Sequence, residues 1–234
     1  MFISDLLPIF GLRRHLKSLR IVMATYKNGP TGSFSGKLGP VVGASWRDIE
    51  VLRSAPQKSS KPPTEAQLLQ RGKFKVAMAF LTPMAPLFTK TFKAYPTDKG
   101  GFEVAKSYHL TEAMQLNEGQ WEMLISKVLV SSGNLRGLTD PMISTETEQT
   151  LYLQWTDDSG QAMANAIDKI MFVMYMPTLN HFEVFKDVAK REDGSAVIAY
   201  PEYYQGVEAH CWATFGTSTG GKYSVSTYLG QVGL

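Results

Sequence analysis

The sequence has only one cysteine, Cys211, among its 234 residues. A single thiol excludes an internal disulfide and any cysteine-rich zinc or iron–sulfur site. The histidines do not show the short spacing of metal ligands either, because they are scattered as His15, His109, His181 and His210. We therefore predict no catalytic, cofactor or metal site, and we expect the protein not to be an enzyme.

Long apolar runs are also missing. No stretch approaches the roughly 18 consecutive apolar residues of a membrane-spanning helix, so none is predicted. Hydrophobic residues nevertheless make up 44% of the chain and charged residues 19%, which excludes wholesale disorder. The length fits one large domain or two small ones, with enough chain to bury a substantial core.

Charge is divided unevenly along the chain, although the formal net charge is only +3. Residues 23–106 carry 13 Lys and Arg against 5 Asp and Glu, whereas residues 107–234 carry 7 against 15. Halves of opposite net charge favour self-association or binding to a protein partner. An equally good explanation is that the two halves expose solvated surfaces that merely differ in charge. Nucleic-acid binding through the basic residues 47–106 is a weaker alternative.

The first 22 residues place an apolar stretch before the basic one, the reverse of a secretory signal. We therefore expect no ordinary signal peptide and favour a cytoplasmic location. The segment is interpreted as a non-native extension upstream of a chain that begins at Met23. The alternative is a short amphipathic helix, since apolar residues recur at steps of three and four at Leu12, Leu16, Leu19 and Val22.

Glycines dominate residues 28–46, but they do not form a nucleotide-binding loop. Only three residues separate Gly32 from Gly36-Lys37, and Leu38 replaces the hydroxyl that would bind magnesium. We instead predict two or three short, bent strands over residues 33–54, because glycines alternate with strand-forming residues. Such strands need a surface on which to bury their larger apolar side chains, namely Val41, Val42, Trp46 and Val51.

One long helix is predicted after a basic, proline-containing linker at residues 57–63. Thr64 and Gln67 have the spacing of a capping box, and apolar residues follow with helical period. The expected buried face consists of Phe74, Ala77, Met78 and Leu81. Pro83 and Pro86 are expected to end or kink the helix.

Short strands separated by polar turns are predicted after residue 120. The segments are 122–131, 149–156, 168–176, 181–190, 195–201, 206–215 and 222–230. Seven strands favour an immunoglobulin-like or fibronectin-type-III-like β-sandwich, with Trp155 in its core. Asp193-Gly194 predicts a hairpin turn. Residues 92–120 are assigned neither helix nor strand, although residues 102–110 could form one short helix.

The fold class predicted is mainly β, or β-rich α+β. A glycine-rich hairpin and one long helix precede the C-terminal Ig-like sandwich. The expected division of the chain is an extension at residues 1–22, a hairpin and helix region at 23–119, and the sandwich at 120–234.

Three groups of side chains invite a chemical interpretation. Tyr200, Tyr203 and Tyr204 could form an exposed aromatic platform for carbohydrate. Asp157 and Asp158 are expected to serve a turn, because aspartate bonds its own backbone there. His210 and Cys211 cannot activate one another, since neighbours on a strand face opposite sides, and Cys211 is expected in the core.

The N-terminal motifs resemble an uncharacterised bacterial family of unknown function, of the kind found in Bacteroidota. The motifs are Gly36-x-x-Gly39, Arg53-x-x-Pro56 and Thr64-x-Ala66-Gln67-x-x-x-Arg71, and the resemblance runs from Met23 to the C-terminus. It implies no catalytic residues. Similar patterns in phage or prophage proteins imply a role in assembly. The glycine-rich strands, the division of charge and the lack of a catalytic constellation predict a non-enzymatic structural or interaction protein. The alternative is a carbohydrate-binding module that uses the exposed tyrosines.

Overall fold

The computed structural model describes residues 23–25, 34–46, 49–57, 60–92, 99–147 and 149–234. The predictions made for residues 1–22 therefore lie outside the described residues. The chain divides into two compact units, Met1–Pro62 and Pro63–Leu234. This division falls in the basic linker, whereas the sequence placed the main boundary at 119/120.

The first unit is a small antiparallel sheet, as its glycine-rich sequence predicts. Its strands are β1 (Met23–Thr25), β2 (Gly36–Leu38), β3 (Val41–Trp46) and β4 (Ile49–Ser54), in the order β1-β4-β3-β2. Gly43 is required because a Cβ there would collide with the carbonyl oxygen of Phe34. Trp46 stays 60% exposed.

The second unit begins with the predicted helix, α1 (Glu65–Leu81). Thr64 and Gln67 form the expected capping box, with the Gln67 N–H donating to the Thr64 hydroxyl and the Thr64 N–H to the Gln67 side chain. The predicted buried face needs one correction. Phe74 is half exposed, and the buried residues of α1 are Ala77, Phe80 and Leu81.

The prolines redirect the chain after α1. A single 3₁₀ turn at Thr82–Met84 contains Pro83, and α2 (Ala85–Thr91) begins with Pro86 in its first turn. The region that the sequence left unassigned holds both helix and strand. It contains α3 (Gly101–Glu112), as residues 102–110 indicated, followed by the hairpin of β5 (Met114–Asn117) and β6 (Gln120–Met123).

Seven further strands form the predicted sandwich. They are β7 (Thr139–Thr147), β8 (Thr150–Thr156), β9 (Lys169–Met176), β10 (His181–Phe185), β11 (Ser195–Ala199), β12 (Glu208–Gly216) and β13 (Thr227–Gly233). One sheet has the order β11-β8-β7 and the other β10-β9-β12-β13, and all pairs are antiparallel. The chain changes sheet after β8, β10 and β11, which gives the arrangement of an Ig-like sandwich.

Two details of the strand prediction are wrong. Residues 122–131 are not one strand, because the chain leaves β6 at Met123, makes a 3₁₀ turn at Ile125–Lys127 and runs on irregularly. The first sandwich strand is instead β7. Asp193-Gly194 does not close a hairpin either. Gly194 ends a 3₁₀ turn with φ +67°, and β11 then pairs with β8 in the opposite sheet.

The β9 strand is buried on both of its faces, from Ile170 to Met176. One face lies in the core between the two sheets, with Leu151, Leu153, Trp155, Cys211 and Phe215. The other face, through Met171, Val173 and Tyr175, packs with Trp212 against apolar residues of α1, α2 and α3. The second unit therefore has three layers, with the four-stranded sheet in the middle.

His109 joins α3 to the irregular segment beside it and is fully buried. Its Nδ1 lies 2.7 Å from the Ala105 carbonyl oxygen, and its Nε2 lies 3.3 Å from the Leu129 backbone nitrogen. A neutral ring that donates from Nδ1 satisfies both contacts, since Nε2 then accepts from Leu129. Burial lowers the pKa of His109 below its ordinary value, against the opposing effect of these hydrogen bonds.

We expect stability to fall as the pH falls below the ordinary histidine value of about 6.5. The unfolded chain then takes up a proton that the folded His109 resists. Urea unfolding at pH 7.5 and 5.5 measures this loss of stability, and His109→Gln should reduce it.

The exposed His181→Gln variant is the matched control and should lose as much stability as the wild type. An equal pH dependence in wild type and His109→Gln would contradict the assignment. His210, whose pKa burial also lowers, accounts for the dependence that His109→Gln retains.

Candidate interaction surface

The tyrosines proposed as a carbohydrate platform do not share one surface. Tyr200 and Tyr204 are buried, and Tyr203 alone is exposed, at 71%. The Tyr204 hydroxyl donates to Glu183 Oε2 at 3.1 Å, and burial together with its neighbours raises the Tyr204 pKa. The prediction of three exposed tyrosines is therefore wrong, because two of the rings belong to the sandwich core.

His210 and Cys211 lie on opposite faces of β12, as strand geometry requires. Cys211 is fully buried between the sheets, and burial raises its pKa to about 12. His210 faces the other way, with Nδ1 2.8 Å from the Tyr228 hydroxyl. Cys211 is thus the core residue that the sequence indicated, and its thiol stays protonated at neutral pH.

The aspartates divide between a turn and a buried ion cluster. Asp157 accepts hydrogen bonds from the Ser159 backbone and hydroxyl, which is the predicted turn role. Asp158 is instead buried, and its Oδ1 lies 2.6 Å from Nη1 of Arg191. The turn prediction is therefore wrong for Asp158.

Arg191 is the centre of this ion cluster and is fully buried. Its Nη2 donates to the Arg136 carbonyl oxygen at 2.9 Å and lies 3.4 Å from Asp168 Oδ2, while the guanidinium stacks 3.8 Å from the centroid of Phe215. Burial alone would raise the pKa of Asp158, but hydrogen bonds from Arg191 and Arg136 lower it below its ordinary value. Asp158, Asp168 and Arg191 are closed to solvent, whereas the side chain of Arg136 is 42% exposed.

Among the residues that the structure describes, no group of three or more His, Cys, Asp or Glu side chains is placed to hold a metal ion. None of the helices described there is long and apolar enough to span a membrane.

An apolar groove opens between α1 and the β5–β6 hairpin. We call it the α1 groove; its lining residues are Glu65, Leu68, Leu69, Gly72, Val76, Gly119, Gln120 and Trp121. The groove has a volume of about 430 Å³. Leu68 is 54% exposed and Leu69 36%, although both side chains are large and apolar.

Trp121 lies at the centre of the α1 groove. The Lys73 ammonium lies 4.6 Å from the centroid of the indole ring, within the range of a cation–π interaction. The Trp121 Nε1–H is buried and has no acceptor among the described residues. Gly72 adds no side chain to the groove beside Trp121. A Cβ at this position would lie 3.7 Å from the indole ring.

The apolar surface continues beyond Trp121. Val76 and Trp121 also line a second groove of about 530 Å³, which reaches Phe80, Tyr175 and Pro177. Phe80 and Tyr175 pack edge to face with centroids 4.9 Å apart, so this floor is firmly packed. The second unit therefore presents two adjoining apolar grooves that share Val76 and Trp121, and we call them together the apolar trough.

Sequence reasoning did not identify this trough. The signal was present in α1, where Leu68 and Leu69 lie in the first turns, away from the face formed by Ala77 and Leu81. Trp121 gave no signal, because its place opposite α1 depends on the turn at Glu118 and Gly119, where both residues have positive φ.

The family of the chain follows from its sequence. A model for a family of unknown function, DUF6266, matches residues 33–230. The chain belongs to the DUF6266 family. The match includes most of the described residues of the first unit and nearly all of the second, so it spans the glycine-rich sheet, the α1 groove and the sandwich. No curated protein matches the DUF6266 chain in sequence.

Among solved structures, the fibronectin type III domain of the human collagen α-1(XX) chain is similar to part of this DUF6266 member. The TM-score is 0.33 at 8% identity, over 44% of this chain and 88% of the collagen domain. The assignment of the sandwich given above is based on the order of its own strands.

Proposed function

We propose that this DUF6266 protein is a non-enzymatic structural or interaction protein whose copies associate through the α1 groove. The observation that supports this most is the apolar trough around Trp121 on an otherwise well-packed unit. Exposed apolar side chains that are contiguous on a folded domain are typical of protein contact sites. Apart from the exposed Tyr203, the side chains that could have suggested chemistry are either buried in the core or engaged in structural bonds.

The finer role is assembly in a bacterial, Bacteroidota-type setting, of phage or prophage character. Support for it comes from the resemblance of the N-terminal motifs and from the division of charge between the two halves. Opposite net charges on one chain favour ordered contacts between copies. Carbohydrate binding has less support, because only Tyr203 of the three tyrosines is exposed.

Sedimentation and light scattering across protein concentration test the proposal. We expect the wild type to associate, and the association to persist or strengthen between 50 and 500 mM salt, because burial of apolar surface drives it. The double variant Leu68→Lys/Leu69→Lys should raise the dissociation constant at least about tenfold.

The matched control is Met142→Lys/Val197→Lys, which adds the same charge at two exposed apolar positions of β7 and β11, outside the trough. It should associate like the wild type. A wild type that stays monomeric at high concentration throughout this salt range would overturn the proposal, as would equal losses in both double variants.

A further inference from the structure

A separate pocket lies in the second unit, between the end of α2, the segment before β7 and the turn after β12. We call it the lysine pocket; its lining residues are Lys90, Thr91, Ser132, Gly133, Asn134, Met163, Gly221, Lys222 and Tyr223. Its volume is about 230 Å³. This is below the roughly 300–1,000 Å³ typical of sites for drug-sized ligands, so the pocket suits a small group.

Backbone hydrogen bonds fix the walls of the lysine pocket. The Ser132 N–H donates to the Thr91 carbonyl oxygen at 3.1 Å, which ties the segment to α2. The Leu135 N–H donates to the Tyr223 carbonyl oxygen at 3.2 Å, which ties it to the turn after β12. Gly133 permits this close approach, because a Cβ there would collide with the Tyr223 carbonyl oxygen. The pocket is therefore formed before any ligand binds.

Two cations and no carboxylate line the lysine pocket. Neither Lys90 nor Lys222 has an ion-pair partner among the described residues. This is notable because residues 107–234, which supply most of the lining, carry 15 acidic residues against 7 basic ones. Lys222 comes from this acidic half and Lys90 from the basic one, and together they give the pocket a local excess of positive charge that favours an anion.

The other polar groups of the pocket add donors. The Ser132 hydroxyl and the Asn134 amide can donate, and the backbone N–H groups of Gly133 and Asn134 have no partner among the residues described. The carbonyl oxygens of Thr91 and Tyr223 are already used as acceptors in the walls. Lysine ammonium groups together with backbone and side-chain N–H and O–H donors are the usual ligands of phosphate oxygens.

We propose that the lysine pocket binds a phosphate group of a small anionic ligand. Lys90 and Lys222 neutralise its charge, while Ser132, Asn134 and the Gly133 backbone supply hydrogen bonds to its oxygens. This site is separate from the α1 groove, with which it shares no lining residue.

Titration of the full chain with inorganic phosphate and with pyrophosphate tests the proposal. Amide chemical shifts are followed by NMR at constant ionic strength, in a buffer without phosphate. We expect saturable binding, with the largest shift changes at residues 132–134 and 221–223. The double variant Lys90→Gln/Lys222→Gln should weaken binding at least tenfold.

Lys127→Gln/Lys190→Gln is the matched control, because it removes two lysines that do not line the pocket. It should bind within twofold of the wild type, and the thermal unfolding of both variants reports whether they fold. Absence of saturation with both anions would overturn the proposal. So would equal weakening in the control, or shift changes confined to other parts of the chain.

Discussion

Replacing Arg191 with alanine is expected to lower the free energy of unfolding by about 3–5 kcal/mol. The substitution leaves the buried carboxylate of Asp168 without a cation among the described residues and that of Asp158 with Arg136 alone, and a buried charge that loses its partner is costly. It also removes the guanidinium that stacks on Phe215. Urea unfolding followed by tryptophan fluorescence measures the loss.

Two variants control this experiment. Lys190→Ala removes an exposed neighbouring cation, and its effect should stay within about 0.5 kcal/mol. Arg191→Lys keeps the charge but cannot reproduce the forked donors that reach Asp158 and the Arg136 carbonyl, so it should be intermediate. A loss below about 1 kcal/mol for Arg191→Ala would show that the ion cluster is not part of the folded core.

Trp212→Ala should cost a similar amount, about 3–5 kcal/mol, for a different reason. Trp212 is fully buried in the layer between β12 and the helices, where its loss leaves a large cavity. Its Nε1–H also donates to the Val128 carbonyl oxygen at 2.9 Å, which anchors the irregular segment after β6.

Trp212→Phe fills part of the space but cannot donate to Val128, so its cost should lie between wild type and Trp212→Ala. Val197→Ala, at an exposed site on β11, should change stability by less than about 0.5 kcal/mol. Equal stabilities for Trp212→Ala and Val197→Ala would mean that the helical layer does not pack on the sheet as described.

The elements that the sequence predicted best are those with a strong local signal. The capping residues Thr64 and Gln67 place the start of α1 within one residue, because capping is a local interaction. The strands β9 and β12 were found because their apolar runs are long. Trp155 was correctly placed in the core, since alternation with Leu151 and Leu153 defines one face of β8.

The errors occur where tertiary contacts decide the structure. Val128 and Val130 resemble strand residues, but they are buried by the helical layer while the chain around them is irregular. The β7 strand was missed because residues 139–147 are largely polar and its pairing with β8 shifts register twice. Asp193-Gly194 predicted a turn correctly, but a turn alone does not state which sheet the next strand joins.

The candidate sites were the least predictable part. The α1 groove and the lysine pocket each combine residues that are more than 40 positions apart in sequence, such as Leu68 with Trp121 and Lys90 with Lys222. The Arg191 cluster likewise joins Asp158, Asp168 and Arg191. Their separation along the sequence matches no motif that would predict contact. No local pattern marks such residues, because only the topology brings them together.

The burial of β9 on both faces has a consequence for the protein before it folds. Residues 170–176 form an uncharged, proline-free run of high β-propensity, the kind of segment that drives aggregation when a chain is unfolded. In the nascent chain neither the sheet partners nor the helices yet cover this run. Asp168, Lys169 and Pro177 flank it directly and act as gatekeepers, since charge and proline at its ends oppose stacking between chains. Both faces of β9 must therefore be covered promptly. The helices that cover one face precede β9 in the chain and are synthesised first.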